Sequence, residues 1–286
     1  VTTDLTAELH DLMKLVIDDL PVKTLDGKKV HPHWEDGPAF ENLDWAALGV
    51  SQPENLLWWG IVYHLDKTTD WVRDLSKPCP NPKITDEDRV ALFLLVLSDH
   101  LAATAGRVLR KGAGGTKRTT VHRLWNPKYA DALPGKPEPI NDAVVLADVL
   151  KQIQANNAAK LFARFRQSME IKPEDETVPR NVTSLLSHSL LVGQFYRILR
   201  RNVTIQTAPL RLCMAGKVVQ TTEDAKQQWK LHSLRATLRF HQNPVRPADL
   251  NVFSRLNQVS KQLRQRFTDE VLFQTSDSVW LVLPYD

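Results

Sequence analysis

His10 and Asp11 are neighbours in the segment Glu8-Leu-His-Asp-Leu-Met-Lys14. An imidazole nitrogen and a carboxylate oxygen from adjacent positions suit a divalent transition metal. Such an ion lowers the pKa of a bound water until it is a nucleophile near neutral pH, which is the chemistry of hydrolysis. A dipeptide is too common to define a site, so further ligands are required. Asp99 is one candidate. It interrupts the apolar run Val90–Leu109 at Leu97-Ser-Asp-His-Leu-Ala-Ala-Thr-Ala-Gly106, and a buried carboxylate is costly unless it is paired or bound to metal. Ser98, Ala102, Ala103, Ala105 and Gly106 leave room beside it for another helix. His64 follows Val62-Tyr63 in a second apolar segment. His10, Asp11, His64 and Asp99 thus make a His-Asp, His, Asp set of the kind a helical metallophosphohydrolase needs, with His31 and His33 as further candidates. The bland alternative is a satisfied core histidine and an aspartate in an ion pair.

These side chains must be positioned by helices. Leu5, Leu9, Leu12, Val16, Ile17 and Leu20 follow helical spacing up to Pro21, which places His10 and Asp11 on one helix. Residues 22–53 read as a long loop, and helix signals resume from Glu54 to about Trp71. After Pro78, Pro80 and Pro82, the pattern Thr85-Asp-Glu-Asp opens an apolar helix from Asp86 to Arg110. Residues 111–143 read as loop, followed by helices over 141–170 and 181–201. Beyond residue 225 the period changes. Leu231–Phe240 reads as a strand, Asp249–Phe267 as an amphipathic helix, and Glu270–Gln274 and Val279–Leu283 as two strands around a tight turn. The expected class is therefore α+β, and a β-α-β-β order is the first part of a ferredoxin-like domain, so the chain is expected to belong to a longer polypeptide. Trp34, Trp45, Trp58, Trp59 and Trp71 are expected to anchor core and loops.

The 286 residues suggest more than one domain, and the 42% hydrophobic and 24% charged shares are ordinary for a globular protein. Net charge is only +4, but Arg107, Arg110, Lys111, Lys117, Arg118, Arg123 and Lys128 follow one another with no acid among them. A second acid-free basic segment carries Arg197, Arg200, Arg201, Arg211 and Lys217. Such segments fit a phosphate backbone or a solvated surface. Arg107, Arg110, Lys117, Arg118 and Arg123 are the candidate nucleic-acid contacts. Cys79 and Cys213 are too few for a disulfide framework, in keeping with a cytoplasmic location. No apolar run reaches the roughly 18 residues of a membrane span. Gly112-Ala-Gly-Gly-Thr-Lys117 lacks the spacing of a P-loop, and no motif of a serine or cysteine nucleophile is present.

The same residues carry a family resemblance. His10-Asp-Leu-Met-Lys14, Tyr63-His64 and Ser98-Asp-His-Leu-Ala-Ala-Thr-Ala-Gly-Arg107 resemble the HD domain of the large subunit of type III CRISPR effector complexes. That family reads His-Asp-(Ile/Leu)-Gly-Lys, Tyr-His-His and Ala-Asp-x-Leu-(Ala/Ser)-(Ala/Ser)-Gly-x-x-Arg. Ser184-Leu-Leu-Ser-His188-Ser189 resembles its Ser-Leu-x-(Asp)-His-Ser helix, and the β-α-β-β segment resembles its palm. The implied organisation is an HD-like helical domain over 1–110, a basic loop and helical linker over 111–225, and a palm-like segment over 226–286.

The resemblance implies a subunit of an RNA-guided interference complex, with guide RNA, target RNA and other type III subunits as partners and no membrane. Its HD domain would cut single-stranded DNA with a transition metal such as Mn²⁺ or Ni²⁺. His10, Asp11, His64 and Asp99 would be ligands, and Lys14 would neutralise charge on the phosphate. Met13, Leu65 and Ser98 depart from the family pattern, and Leu65 stands where a second histidine is usual. The palm turn, Gly-Gly-Asp-Asp in active members, reads Thr275-Ser-Asp-Ser278 here. Two-metal nucleotidyl transfer needs paired acids, so this palm is expected to make no cyclic oligoadenylate. Two other readings stay open: a free-standing HD phosphohydrolase, and a scaffold whose catalytic sites have decayed.

Overall fold

The computed structural model describes residues 2–16, 24–25, 28–29, 43–64, 70–109, 140, 142–171, 184–214, 216–235, 250–266, 271–274 and 278–284. Over these residues the protein is α+β and rich in helix. Helix α1 (Thr2–Glu8) leads through a turn to a 3-10 helix (Leu12–Leu15), and a minimal hairpin pairs β1 (Thr24–Leu25) with β2 (Lys28–Lys29). Helices α2 (Trp45–Leu48), α3 (Leu56–Tyr63), α4 (Asp70–Arg73) and the long α5 (Asp86–Leu109) follow. Then come α6 (Ala143–Gln154), α7 (Ala158–Ile171) and α8 (Leu185–Arg201).

Local signals start these helices. Thr85 and Asp88 form a reciprocal capping box on α5: the Asp88 N–H donates to Thr85 Oγ1 at 3.2 Å, and the Thr85 N–H donates to Asp88 Oδ2 at 3.1 Å. Asn55, Asp142 and Ser184 cap α3, α6 and α8 by accepting from Trp58, Val145 and Ser187.

Strands β3 (Val203–Thr207), β4 (Leu210–Met214) and β5 (Lys217–Val219) form an antiparallel meander. After α9 (Thr222–Lys226), strand β6 (Trp229–Arg235), helix α10 (Leu250–Arg266), β7 (Val271–Gln274) and β8 (Ser278–Pro284) give the β-α-β-β order. Their sheet is antiparallel with β8 central, in the order β6-β8-β7. No helix among the described residues is long and apolar enough to cross a membrane.

Two cores meet on α5. Leu92 and Val96 join Leu9, Trp58, Val149, Phe165 and Leu185 in one, while Phe93 and Leu97 join Phe195, Tyr196, Leu212, Met214 and Trp229 in the other. Burial on both sides explains why α5 is apolar nearly all round, and it carries Asp99 into the interior. The first core draws on residues from both sides of position 110. Trp45 packs edge-on against Trp58, and Trp58, Trp59 and Trp71 are buried, as core anchors should be.

Four expectations are corrected. The helix expected to reach Leu20 ends at Glu8, and the one expected to reach Trp71 stops at Tyr63. The segment 141–170 is two helices, because Asn156 adopts a left-handed φ of 54° that breaks the ladder. Residues 203–219, expected within a helical linker, form the meander. There Leu210, Leu212 and Met214 alternate inward at the strand period of two.

Candidate metal centre

The first ligand pair is delivered by a turn, not by one helix as expected. Adjacent positions on an α-helix point about 100° apart and do not face one target. Between α1 and the 3-10 helix the backbone bends, and His10 Nδ1 donates to the Ala7 carbonyl at 2.7 Å. Asp11 sits at the start of the 3-10 helix without capping it. Its carboxylate is engaged elsewhere: Oδ1 lies 3.1 Å from His64 Nε2, and Oδ2 accepts from Lys14 Nζ at 3.0 Å. His64 ends α3, where its Nδ1 faces the carbonyls of Gly60 at 3.0 Å and Ile61 at 2.9 Å.

Asp99 arrives from α5 and His188 from α8, with His188 Nε2 2.9 Å from Asp99 Oδ1. The structure therefore brings His10, Asp11, His64 and Asp99 together, all buried. It adds His188, which sequence reasoning placed in a matching helix without making it a ligand. The only signal was its Ser-His-Ser setting next to a helix start. Two groups share His10: His10, Asp11 and His64 form one, and His10, Asp99 and His188 the other, each with candidate ligand atoms within 4.8 Å of one another.

His10 is the informative member. Burial lowers its imidazole from 6.5 to about 4, outweighing the pull of Asp11 and Asp99, so the ring is neutral at physiological pH. With the Nδ1 proton given to Ala7, Nε2 presents a lone pair. That atom is buried without a hydrogen-bond partner among the described residues, 3.4 Å from Asp11 Oδ2 and 3.8 Å from Asp99 Oδ1. A lone pair facing two carboxylates is repulsive unless a cation lies among them. A backbone carbonyl behind each of His10 and His64 is also the usual way to fix a ligating tautomer.

The carboxylates are prepared for the same role. Burial on its own would raise the Asp11 carboxyl, but the neighbouring His10 and Lys14 side chains and the His64 contact hold it well below the usual range. Burial likewise opposes the lowering of Asp99, which the hydrogen bond from His188 and the neighbouring His10 enforce. Ligand atoms about 2.1 Å from one ion lie roughly 3.0–3.4 Å apart. The contacts His64–Asp11 (3.1 Å) and His10–Asp11 (3.4 Å) match that spacing. A mixed imidazole–carboxylate set of this kind fits a divalent transition metal.

Lys14 stands at the edge of the cluster with its side chain 20% exposed, bonded to Asp11. His100, next to Asp99, is partly buried, and burial lowers its imidazole below the ordinary value. Arg107 lies on α5, but its side chain is outside the described residues, as are Arg110, Lys117, Arg118 and Arg123, the loop histidines His31 and His33, and Leu65. Comparison with protein-family models, with curated proteins and with solved structures gives no match to this chain.

Proposed function

We propose that this chain is the large subunit of an RNA-guided type III CRISPR complex, whose HD-type centre cuts single-stranded DNA with Mn²⁺ or Ni²⁺. The single observation that carries the hydrolase reading is the neutral, unpartnered His10 Nε2 between the Asp11 and Asp99 carboxylates. The subunit reading rests on three matching segments occurring in family order, His10–Lys14, Tyr63-His64 and Ser98–Arg107. It is supported by a β6-β8-β7 sheet that has the strand order of the first half of a ferredoxin-like fold.

His10, Asp11, His64, Asp99 and His188 would hold the ion. When bound, it supplies Lewis acidity and a water that is nucleophilic near neutral pH. Hydrolysis joins the water oxygen to phosphorus and breaks the P–O bond, the leaving deoxyribose oxygen taking a proton. The chain's part is to keep both carboxylates ionised, to shield the centre from bulk water, and to present the partly exposed Lys14 ammonium to a phosphate oxygen. The palm has a structural role in this reading, because β6, β7 and β8 carry no carboxylate. Guide and target RNA would engage through the assembled complex.

The test incubates the protein and its complex with labelled single-stranded DNA and Mn²⁺, beside a His10→Ala/Asp11→Ala variant. Cleavage that disappears in the variant is expected. Hydrolysis of free nucleotides without DNA cleavage points instead to a free-standing phosphohydrolase, and no metal uptake by the wild type overturns the hydrolase reading.

A further inference from the structure

Helix α8 meets α1 at a contact that no ligand explains. Glu8 is buried at the end of α1, two residues before His10, and accepts from Arg197 Nη1 at 2.8 Å. Arg197 also donates through Nη2 to Gln194, one turn back on the same helix. Gly193 immediately precedes Gln194, and the Glu8 side chain lies against it. A Cβ on Gly193 would lie 2.4 Å from Glu8 Cγ and 2.9 Å from Glu8 Oε1, closer than real contacts allow. The absence of a side chain at 193 therefore lets Glu8 lie flat on α8 and reach Arg197. His188 is on the same helix, about 7.5 Å along the axis from Gly193, and points to Asp99 on α5. The His10 and His188 rings are 5.6 Å apart.

We propose that Glu8, Gly193 and Arg197 form a clamp that fixes α8 on α1 and so positions His188 against His10 and Asp99 in the metal centre. The proposal rests on the metal reading of that centre. The physical reason is that α8 otherwise packs through apolar side chains, Leu185 and Leu186 in the first core and Val192, Phe195 and Leu199 in the second, and apolar packing tolerates small slides that a ligand set does not. The part-buried, hydrogen-bonded Glu8–Arg197 pair adds a directional contact where side-chain packing leaves the register soft. Among the described residues, the hydrogen bonds of Glu8 and Arg197 go to each other and to Gln194 and not to a candidate ligand, so with Gly193 they are positioning residues.

The experiment titrates Co²⁺ into full-length wild type, Arg197→Ala, Gly193→Ala and the conservative Arg197→Lys, reading visible absorption well below each unfolding temperature. The ring nitrogens of His188 are followed by NMR in chelator without metal. Outer partners of a ligand carry roughly 10–100-fold in metal affinity. Arg197→Ala is expected to lose that much, with a Co²⁺ spectrum shifted as in His188→Ala, and Arg197→Lys is expected to recover most of the loss. In chelator, the His188 resonances should move in Arg197→Ala and Gly193→Ala. Wild-type Co²⁺ affinity, spectrum and His188 shifts in Arg197→Ala would overturn the clamp. A wild type that takes up no Co²⁺ overturns the metal reading instead, while the metal-free NMR comparison still decides whether the clamp places His188. Should Gly193→Ala fail to fold, Arg197→Ala and Arg197→Lys decide alone.

Discussion

His188 Nε2 and Asp99 Oδ1 lie 2.9 Å apart although 89 residues separate them in the chain. That contact ties α8 to α5 at the buried centre. It also means that the centre is assembled from four separate stretches: the turn after α1, the end of α3, the middle of α5 and the start of α8. Each contributes donors that the others cannot replace.

Replacing His188 should therefore harm the candidate metal centre more than an outer partner would. His188→Ala is expected to weaken Mn²⁺ binding by more than roughly a hundredfold, above the range of outer-partner losses. It should also lower stability in the absence of metal, since Asp99 loses its closest partner. Calorimetric titration with Mn²⁺ and urea unfolding in chelator measure the two effects, and unchanged affinity would remove His188 from the ligand set.

Stability of the metal-free protein should fall with acid in a defined window. His10 is lowered from 6.5 to about 4 in the folded state. As pH drops from about 6.5 to 4, the unfolded chain binds a proton that the folded one refuses, which costs about 3 kcal/mol. Asp11 and Asp99 act in the same direction at lower pH. Their folded pKa values are depressed, so the stability they contribute is present above about 4 and is lost as pH falls toward those values. Urea unfolding in chelator at a series of pH values checks the slope, and His10→Asn should flatten it between 6.5 and 4.

Lys14 should matter more for the substrate than for the ion. Lys14→Ala is expected to slow DNA cleavage roughly ten- to a hundredfold, somewhat less than a fully buried electrostatic donor is worth. Metal stoichiometry should stay at the wild-type value. Loss of metal together with activity would assign Lys14 a role in holding Asp11 and none toward the phosphate.

Gly60 permits the close approach that brings His64 in. A Cβ there would lie 2.9 Å from Thr6 Cγ2 and 3.1 Å from Leu95 Cδ2. Gly60→Ala should cost about 1–3 kcal/mol through overcrowding between α1, α3 and α5, measured by urea unfolding. An unchanged midpoint would show that these helices can part without strain.

In the proposed reading, the β6-β8-β7 sheet should be silent toward ATP. Incubating the complex with labelled ATP, divalent metal and target RNA is expected to yield no cyclic oligoadenylate. Any such product would show that acids outside β6, β7 and β8 complete a nucleotidyl-transfer site.

Much of this architecture was legible in residue order. The Thr85–Asp88 capping box, the apolar period of α5, and the β-α-β-β run from Trp229 to Pro284 are local patterns, and local patterns are what a chain displays openly. Residue types also named His10, Asp11, His64 and Asp99, because an aspartate in an apolar helix and a His-Asp pair are conspicuous without coordinates. Tertiary packing decided the rest. It ended α1 at Glu8, where the His10 ring captures the Ala7 carbonyl, so that neighbouring side chains can aim at one point. It bent 203–219 into strands, whose burial depends on an apolar wall supplied by α5 and α8. And it brought His188 to Asp99, a pairing with no trace in local spacing, since only the way α8 lies across α1 and α5 determines where that imidazole points.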